Sequence, residues 1–108
     1  MKIKLYLVTR QDLPPGVQAV QSCHALRQFG AECPDVDKKW FEESNTLAFL
    51  SVPDERELGV LYKKAVTRRL PVAAFREPDL ENALTAIALG PSCASLTKGL
   101  PLALDDSS

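Results

Sequence analysis

The chain has 108 residues, 45% of them hydrophobic and 25% charged, which is the composition of an ordinary globular domain. That length excludes a second full domain, and size scaling gives a radius of gyration of ~13 Å. Thirteen Lys and Arg stand against 14 Asp and Glu, a formal net charge of −1. Bulk charge therefore does not mark a nucleic-acid binder, and any basic surface must be local.

Taken in order, Ile3, Leu5, Tyr6, Leu7 and Val8 are rich in strand formers, and the loop Arg10 to Gly16 with its two prolines ends that strand. From Gly16 to Gly30 the pattern is helical, with Ala19, Val20, Cys23, Leu26 and Phe29 on one arc expected to face the core. Val17, Gln21, His24 and Gln28, spaced by four, three and four residues, form a separate stripe. Cys33-Pro34 breaks the helix, and Val36 to Glu43 predicts a second one carrying Trp40 and Phe41. Thr46 to Val52, bounded by Asn45 and Pro53, predicts a buried strand. Asp54 with Glu57 three residues on forms a capping box, and Leu58, Leu61, Tyr62, Ala65 and Val66 repeat at helical spacing until Leu70-Pro71. Val72 to Phe75 and Leu84 to Leu89 predict two further strands. Ser92 to Lys98 predicts a last helical turn, and Leu100 to Leu104 an edge strand confined to the sheet margin by Pro101. Strands interleaved with helices give an α/β, three-layer α/β/α fold with a mixed sheet of about four strands. One domain is expected over 1–104, followed by an acidic tail at 105–108.

Cys23, Cys33 and Cys93 contain no C-x-x-C pair, and His24 is the only histidine, so neither a disulfide framework nor a metal site is expected. The start has a four-residue apolar run before Thr9 and Arg10, too short for a signal peptide, and no stretch approaches a membrane span. A cytoplasmic protein is expected. His24, on the polar stripe, has the one side chain whose ordinary pKa suits proton transfer near neutrality. A lone histidine is more often structural, and only its stripe argues for chemistry. Cys23 is read as core, because neighbours on a helix point about 100° apart and cannot form a nucleophile and base pair. Lys63, Lys64, Arg68 and Arg69 gather positive charge late in the 54 to 69 helix. That ordering suits the helix dipole, and its functional reading is a landing patch for phosphates. Asp12, Glu77 and Asp79 sit at or beyond predicted strand ends, where ligands of open sheets bind.

Taken together, Val8-Thr9-Arg10-Gln11-Asp12-Leu13, then Gly16 with Gln21, His24 and Ala25, resemble the opening of the type 2 peptidyl-tRNA hydrolases. Trp40, Val52-Pro53-Asp54-Glu55, Glu57-Leu58, Leu70-Pro71, Thr85 to Gly90-Pro91 and Thr97 to Leu102 follow that family in order, so the resemblance covers residues 3 to 104. It implies a compact α/β domain, frequently a homodimer, that hydrolyses the ester between a peptide and the terminal ribose of tRNA without metal or cofactor. It further implies His24 as the catalytic histidine, with Gln21, Asp12 and Arg10 lining or supporting the site.

Two departures accompany the resemblance. The family's lysine, seven residues before the histidine, is here Val17, with Arg10 or Arg27 as candidates to supply the missing charge. The family's Asp-Ala-Gly after the third strand is replaced by Phe75-Arg76-Glu77-Pro78-Asp79, in which Glu77 is the closest counterpart of the aspartate and Asp79 the second. The family's serine or threonine in that loop has no clear match, Thr85 and Ser92 being the nearest hydroxyls. On this basis His24, Glu77 and Asp79 are expected to be catalytic, and Arg10, Asp12, Gln21, Arg27, Lys63 and Lys64 to bind substrate. The alternatives are a non-catalytic relative that binds tRNA or a protein, and an esterase acting on another small ester or amide.

Overall fold

Alternation along the first strand divides the core in two. The computed structural model describes residues 3–105, so the expected tail lies outside the described residues from 106 onward. In β1, Lys4–Arg10, successive side chains point to opposite faces of the sheet. Leu5 and Leu7 enter an apolar cluster with Ala25, Phe29 and Trp40, whereas Tyr6 and Val8 join one with Leu58, Leu61 and Ala65. The helices that bring those partners are α1, Pro15–Glu32, and α2, Pro34–Glu43, on one face, and α3, Glu55–Thr67, on the other. Between them lies a four-stranded sheet in the order β2-β1-β4-β3, with β2 at Thr46–Val52, β3 at Val72–Glu77 and β4 at Ala83–Leu89. β1 and β2 are parallel, while β4 runs antiparallel to both β1 and β3. The expected three-layer α/β/α fold with a mixed sheet is the fold observed, and its radius of gyration is 12.8 Å.

Local chemistry sets the limits of α3. The Asp54 carboxylate accepts a hydrogen bond from the Glu57 amide at 2.9 Å, satisfying one of the helix's unpaired first-turn donors. At the other end Arg69 turns left-handed at φ 56°, the Leu70 amide donates to Ala65 O and the Arg69 amide to Val66 O, and Pro71 prevents continuation. After β4 the chain passes very close to its neighbours at Gly90. A Cβ there would lie 3.2 Å from Pro71 Cβ and 3.4 Å from Phe29 Cζ and Val36 Cγ1, so no larger residue fits without movement.

Two expectations about the helix and chain end are corrected. The arc of Ala19, Val20, Cys23, Leu26 and Phe29 is only in part the face that α1 buries. Val20 is 54% exposed and Cys23 is exposed, while Gln18, Gln21, Ser22, Ala25 and Phe29 are buried. Hydrogen bonds make this polar face buriable: Gln18 Nε2 donates to Leu13 O at 2.7 Å and Ser22 Oγ to Gln18 O at 2.8 Å. The end of the chain is also less regular than predicted. A 3-10 turn at Pro91–Cys93 precedes a short α4, Ala94–Thr97. Leu100 to Leu104 then forms one bridge, Leu102 to Leu50, rather than a strand. Pro101 has no amide to offer a ladder, and Leu104 at φ 58° leaves the extended region.

Candidate active site

The polar residues of α1 meet the far half of the sheet at a β-bulge. Phe75 pairs with Ala86, but the next residue, Arg76, pairs with Leu84, leaving Thr85 as the extra residue of β4. Its hydroxyl reaches α1 and donates to Gln21 Oε1 at 2.6 Å. Beneath it, Thr9 Oγ1 donates to Thr85 O at 3.0 Å, tying the bulge to β1. The other end of the same amide, Gln21 Nε2, donates to Glu77 Oε1 at 3.1 Å. A carboxylate only accepts, so Nε2 must face Glu77, and Oε1 is left for the Thr85 hydroxyl. Gln21 is thus fixed at both ends in a buried position.

One helical turn further on, His24 is exposed and lies flat on Phe75, with ring centroids 4.5 Å apart and planes at 13°. Alternation of β3 places Ala73, Phe75 and Glu77 on the α1 face, so the strand supplies both the surface under the imidazole and the carboxylate beside Gln21. The structure therefore brings together three predicted residues, Gln21, His24 and Glu77. It adds Phe75 and makes Thr85 the nearby hydroxyl. Ser92 is exposed, past the opposite end of β4.

Other predicted residues lie elsewhere. Asp79 is exposed in a 3-10 turn, Pro78–Leu80, that leads into the left-handed pair Glu81 and Asn82 before β4. Arg10 follows Val8 by two residues and so points to the α3 face. Its guanidinium donates to both oxygens of Asp12 at 2.9 Å and to Leu84 O at 3.1 Å. The hydrogen bond between them raises the Arg10 pKa and lowers that of Asp12. Glu55 completes the clamp by accepting from the Leu84 amide at 2.8 Å. Arg27 is exposed on α1 and Val17 half-buried in its first turn. Lys63 and Lys64 are on α3, across the sheet from His24, where they line a surface groove of about 400 Å³ with Val60, Thr67 and Arg68.

The arrangement defines a small α/β protein with an accessible imidazole stacked on Phe75, one helical turn from a glutamine amide held by a carboxylate, and an imidazole of this kind is a group suited to proton transfer to and from water. The family model for peptidyl-tRNA hydrolase PTH2 matches residues 3–102, and the chain belongs to that family. It is 31% identical over 101 residues to a protein of Thermococcus onnurineus (strain NA1) called peptidyl-tRNA hydrolase, the match covering 84% of this chain and 86% of the relative. Both findings support a hydrolase-like function. A solved structure of a protein of unknown function from Agrobacterium tumefaciens strain C58 superposes with a TM-score of 0.68, covering 94% of this chain and 98% of that one. At 14% identity, that likeness concerns the fold alone. Among the described residues no helix is long and apolar enough to cross a membrane.

Proposed function

We propose that this protein hydrolyses the ester joining a peptide to the terminal ribose of tRNA, with His24 as the proton-transfer group. The observation that carries the reading is the Gln21 amide held between Glu77 and Thr85, one turn before an exposed His24 stacked on Phe75. Neutral imidazole takes a proton from water as the water oxygen bonds to the ester carbonyl carbon. The tetrahedral oxyanion then collapses, the bond to the ribose oxygen breaks, and the imidazolium returns the proton to that oxygen. Water and ester thus become a free carboxylic acid and a ribose hydroxyl. Glu77, with Asp79 on the adjoining turn, orients the site, the Glu77 carboxylate accepting from the Gln21 amide. Gln21 is a positioning residue.

The same reading has one domain over 1–104 acting in the cytoplasm as a homodimer, without metal or cofactor. Arg27 is the cation that faces tRNA phosphates or the oxyanion from α1. The Arg10–Asp12 clamp holds the β4 entry in place, and Lys63 and Lys64 contact tRNA phosphates at a distance from the ester. A purified sample is expected to release the acyl group from N-acetylaminoacyl-tRNA, with His24→Ala slower by about 10²–10⁴-fold. Release no faster than by His24→Ala would overturn the reading.

Val17 supports a second reading. An aliphatic side chain at the position of the family's lysine removes a cation from the substrate face, as expected of a relative that binds tRNA without cleaving it. Such a protein would bind tRNA with a salt dependence weakened by charge reversal at Lys63 and Lys64, and would be indifferent to His24. Val17→Lys separates the two, because a gain in hydrolysis requires the rest of the apparatus to be competent.

A further inference from the structure

The sheet has two edges, and the chain covers only part of them. On β2 two of the outward groups have partners: the Ser51 amide donates to Pro101 O at 3.0 Å, and the Ala103 amide donates to Phe49 O at 2.8 Å. On β3 two carbonyls show which residues face inward. Pro71 O accepts from the Gly90 amide and Glu77 O from the Asn82 amide. Residues of the other parity, Val72, Ala74 and Arg76, therefore turn their N–H and C=O groups away from β4. Val72 meets the Cys33 sulfur. For Ala74 and Arg76 the described residues supply no partner on that side, so two donors and two acceptors stand in a row along the edge.

This open stretch brackets Phe75, the residue on which His24 stacks. We propose that the peptide portion of the substrate adds to the sheet as a fifth strand, pairing its backbone with Ala74 and Arg76. The proposal rests on the hydrolase reading above, which supplies a peptide ester. An added strand runs ~4.8 Å from β3, so the peptide residue opposite Phe75 lies beside the imidazole and its ester end comes to His24 and Glu77. Backbone pairing also suits a substrate defined by being a peptide and not by its side chains, since N–H and C=O groups are common to every sequence. The rival occupant is a second copy pairing β3 with β3.

Amide hydrogen exchange distinguishes these occupants without requiring turnover. In nitrogen-15-labelled protein, saturating N-acetyl-tetra-alanine is expected to slow exchange at Ala74 and Arg76 about tenfold or more, leaving the inward amides of Ala73 and Phe75 unchanged. Arg76→Pro deletes one outward donor at an edge position where proline is tolerated, and should abolish the slowing at Ala74; Arg76→Ala should retain it. Should Arg76→Pro fail to fold, Ala74→Pro makes the corresponding test at Arg76. No slowing at either amide overturns the proposal. So does protection present without peptide that grows with protein concentration alongside a dimer-sized mass, which would assign the edge to a second copy. In hydrolysis, kcat/KM for tetrapeptidyl-tRNA should exceed that for N-acetylaminoacyl-tRNA by about tenfold or more, and Arg76→Pro should bring the ratio towards one. Equal rates for the two substrates in the unaltered protein overturn the edge proposal and leave the hydrolase reading standing. Failure to hydrolyse either substrate sinks the hydrolase reading, while peptide-dependent exchange reads the edge independently.

Discussion

The two faces of the sheet are built from different materials. Against α3 the buried set is apolar, from Val8, Leu50 and Leu58 to Ile87 and Leu89. Against α1 the apolar cluster of Leu5, Leu7, Phe29 and Trp40 gives way at one end to Thr9, Gln18, Gln21, Ser22 and Thr85, all buried. Among the described residues no buried side-chain nitrogen or oxygen lacks a hydrogen-bond partner, so this polar end is a completed network. The comparison teaches that one layer holds the fold while the other, at its polar end, holds a geometry. A buried network contributes modest net stability when complete and is costly when broken, whereas an apolar core contributes in proportion to what it buries.

The largest expected stability effect is on the α3 side. Leu58 is fully buried, and Leu58→Ala should cost about 2–5 kcal/mol in urea unfolding, with hydrolysis by the remaining folded protein little changed. Gln21→Leu tests the opposite face. It leaves Glu77 and Thr85 without their shared amide, and should cost about 1–3 kcal/mol while lowering turnover out of proportion to stability. If Gln21→Leu were as stable as the parent and fully active, the distinction between the faces would collapse. Asp54→Ala removes the α3 cap and should cost about 1 kcal/mol, read as a lowered denaturation midpoint with an unchanged slope.

The smallest effect is electrostatic. Asp12 has its pKa lowered on folding by the Arg10 hydrogen bond, so its contribution is fully present above the ordinary carboxylate value of ~3.9 and is lost as pH falls through the lower folded value. With the Asp12 side chain 44% exposed, solvent screening holds this to less than about 1 kcal/mol. Asp12→Asn should therefore remove a small acid-limb dependence from the stability profile and change little near neutrality.

The same contrast explains what was legible in the sequence. The α3 layer could be read closely because local rules agree there: Asp54 caps the helix by accepting from the Glu57 amide, its apolar residues recur at helical spacing, and Leu70-Pro71 closes it. β2 was read to its ends, Thr46 and Val52, since Asn45 turns left-handed before it and Pro53 follows it. For α1 the apolar arc misled, because periodicity assumes that burial follows hydrophobicity, and here the polar Gln18, Gln21 and Ser22 are buried while Val20 and Cys23 are exposed. His24, Gln21 and Glu77 were nameable from the resemblance, but the contact joining Gln21 to Glu77 crosses 56 residues of chain and the one joining Gln21 to Thr85 crosses 64. Phe75 was missed as a site residue, although period-two alternation from Ala73 through Phe75 to Glu77 was a signal for it. Thr85 was only one of two nearby hydroxyls, because no local pattern announced the bulge that turns it towards α1.

That bulge makes the site sensitive to chain length in a way that the core is not. Removing one residue at Thr85 would let the β3–β4 ladder close in unbroken register, with Ala86, Ile87 and Leu89 still directed as before, while erasing the hydroxyl that anchors Gln21. Within this fold a single-codon deletion could thus silence the proposed chemistry and spare the scaffold, a change that a survey of point substitutions alone would not sample.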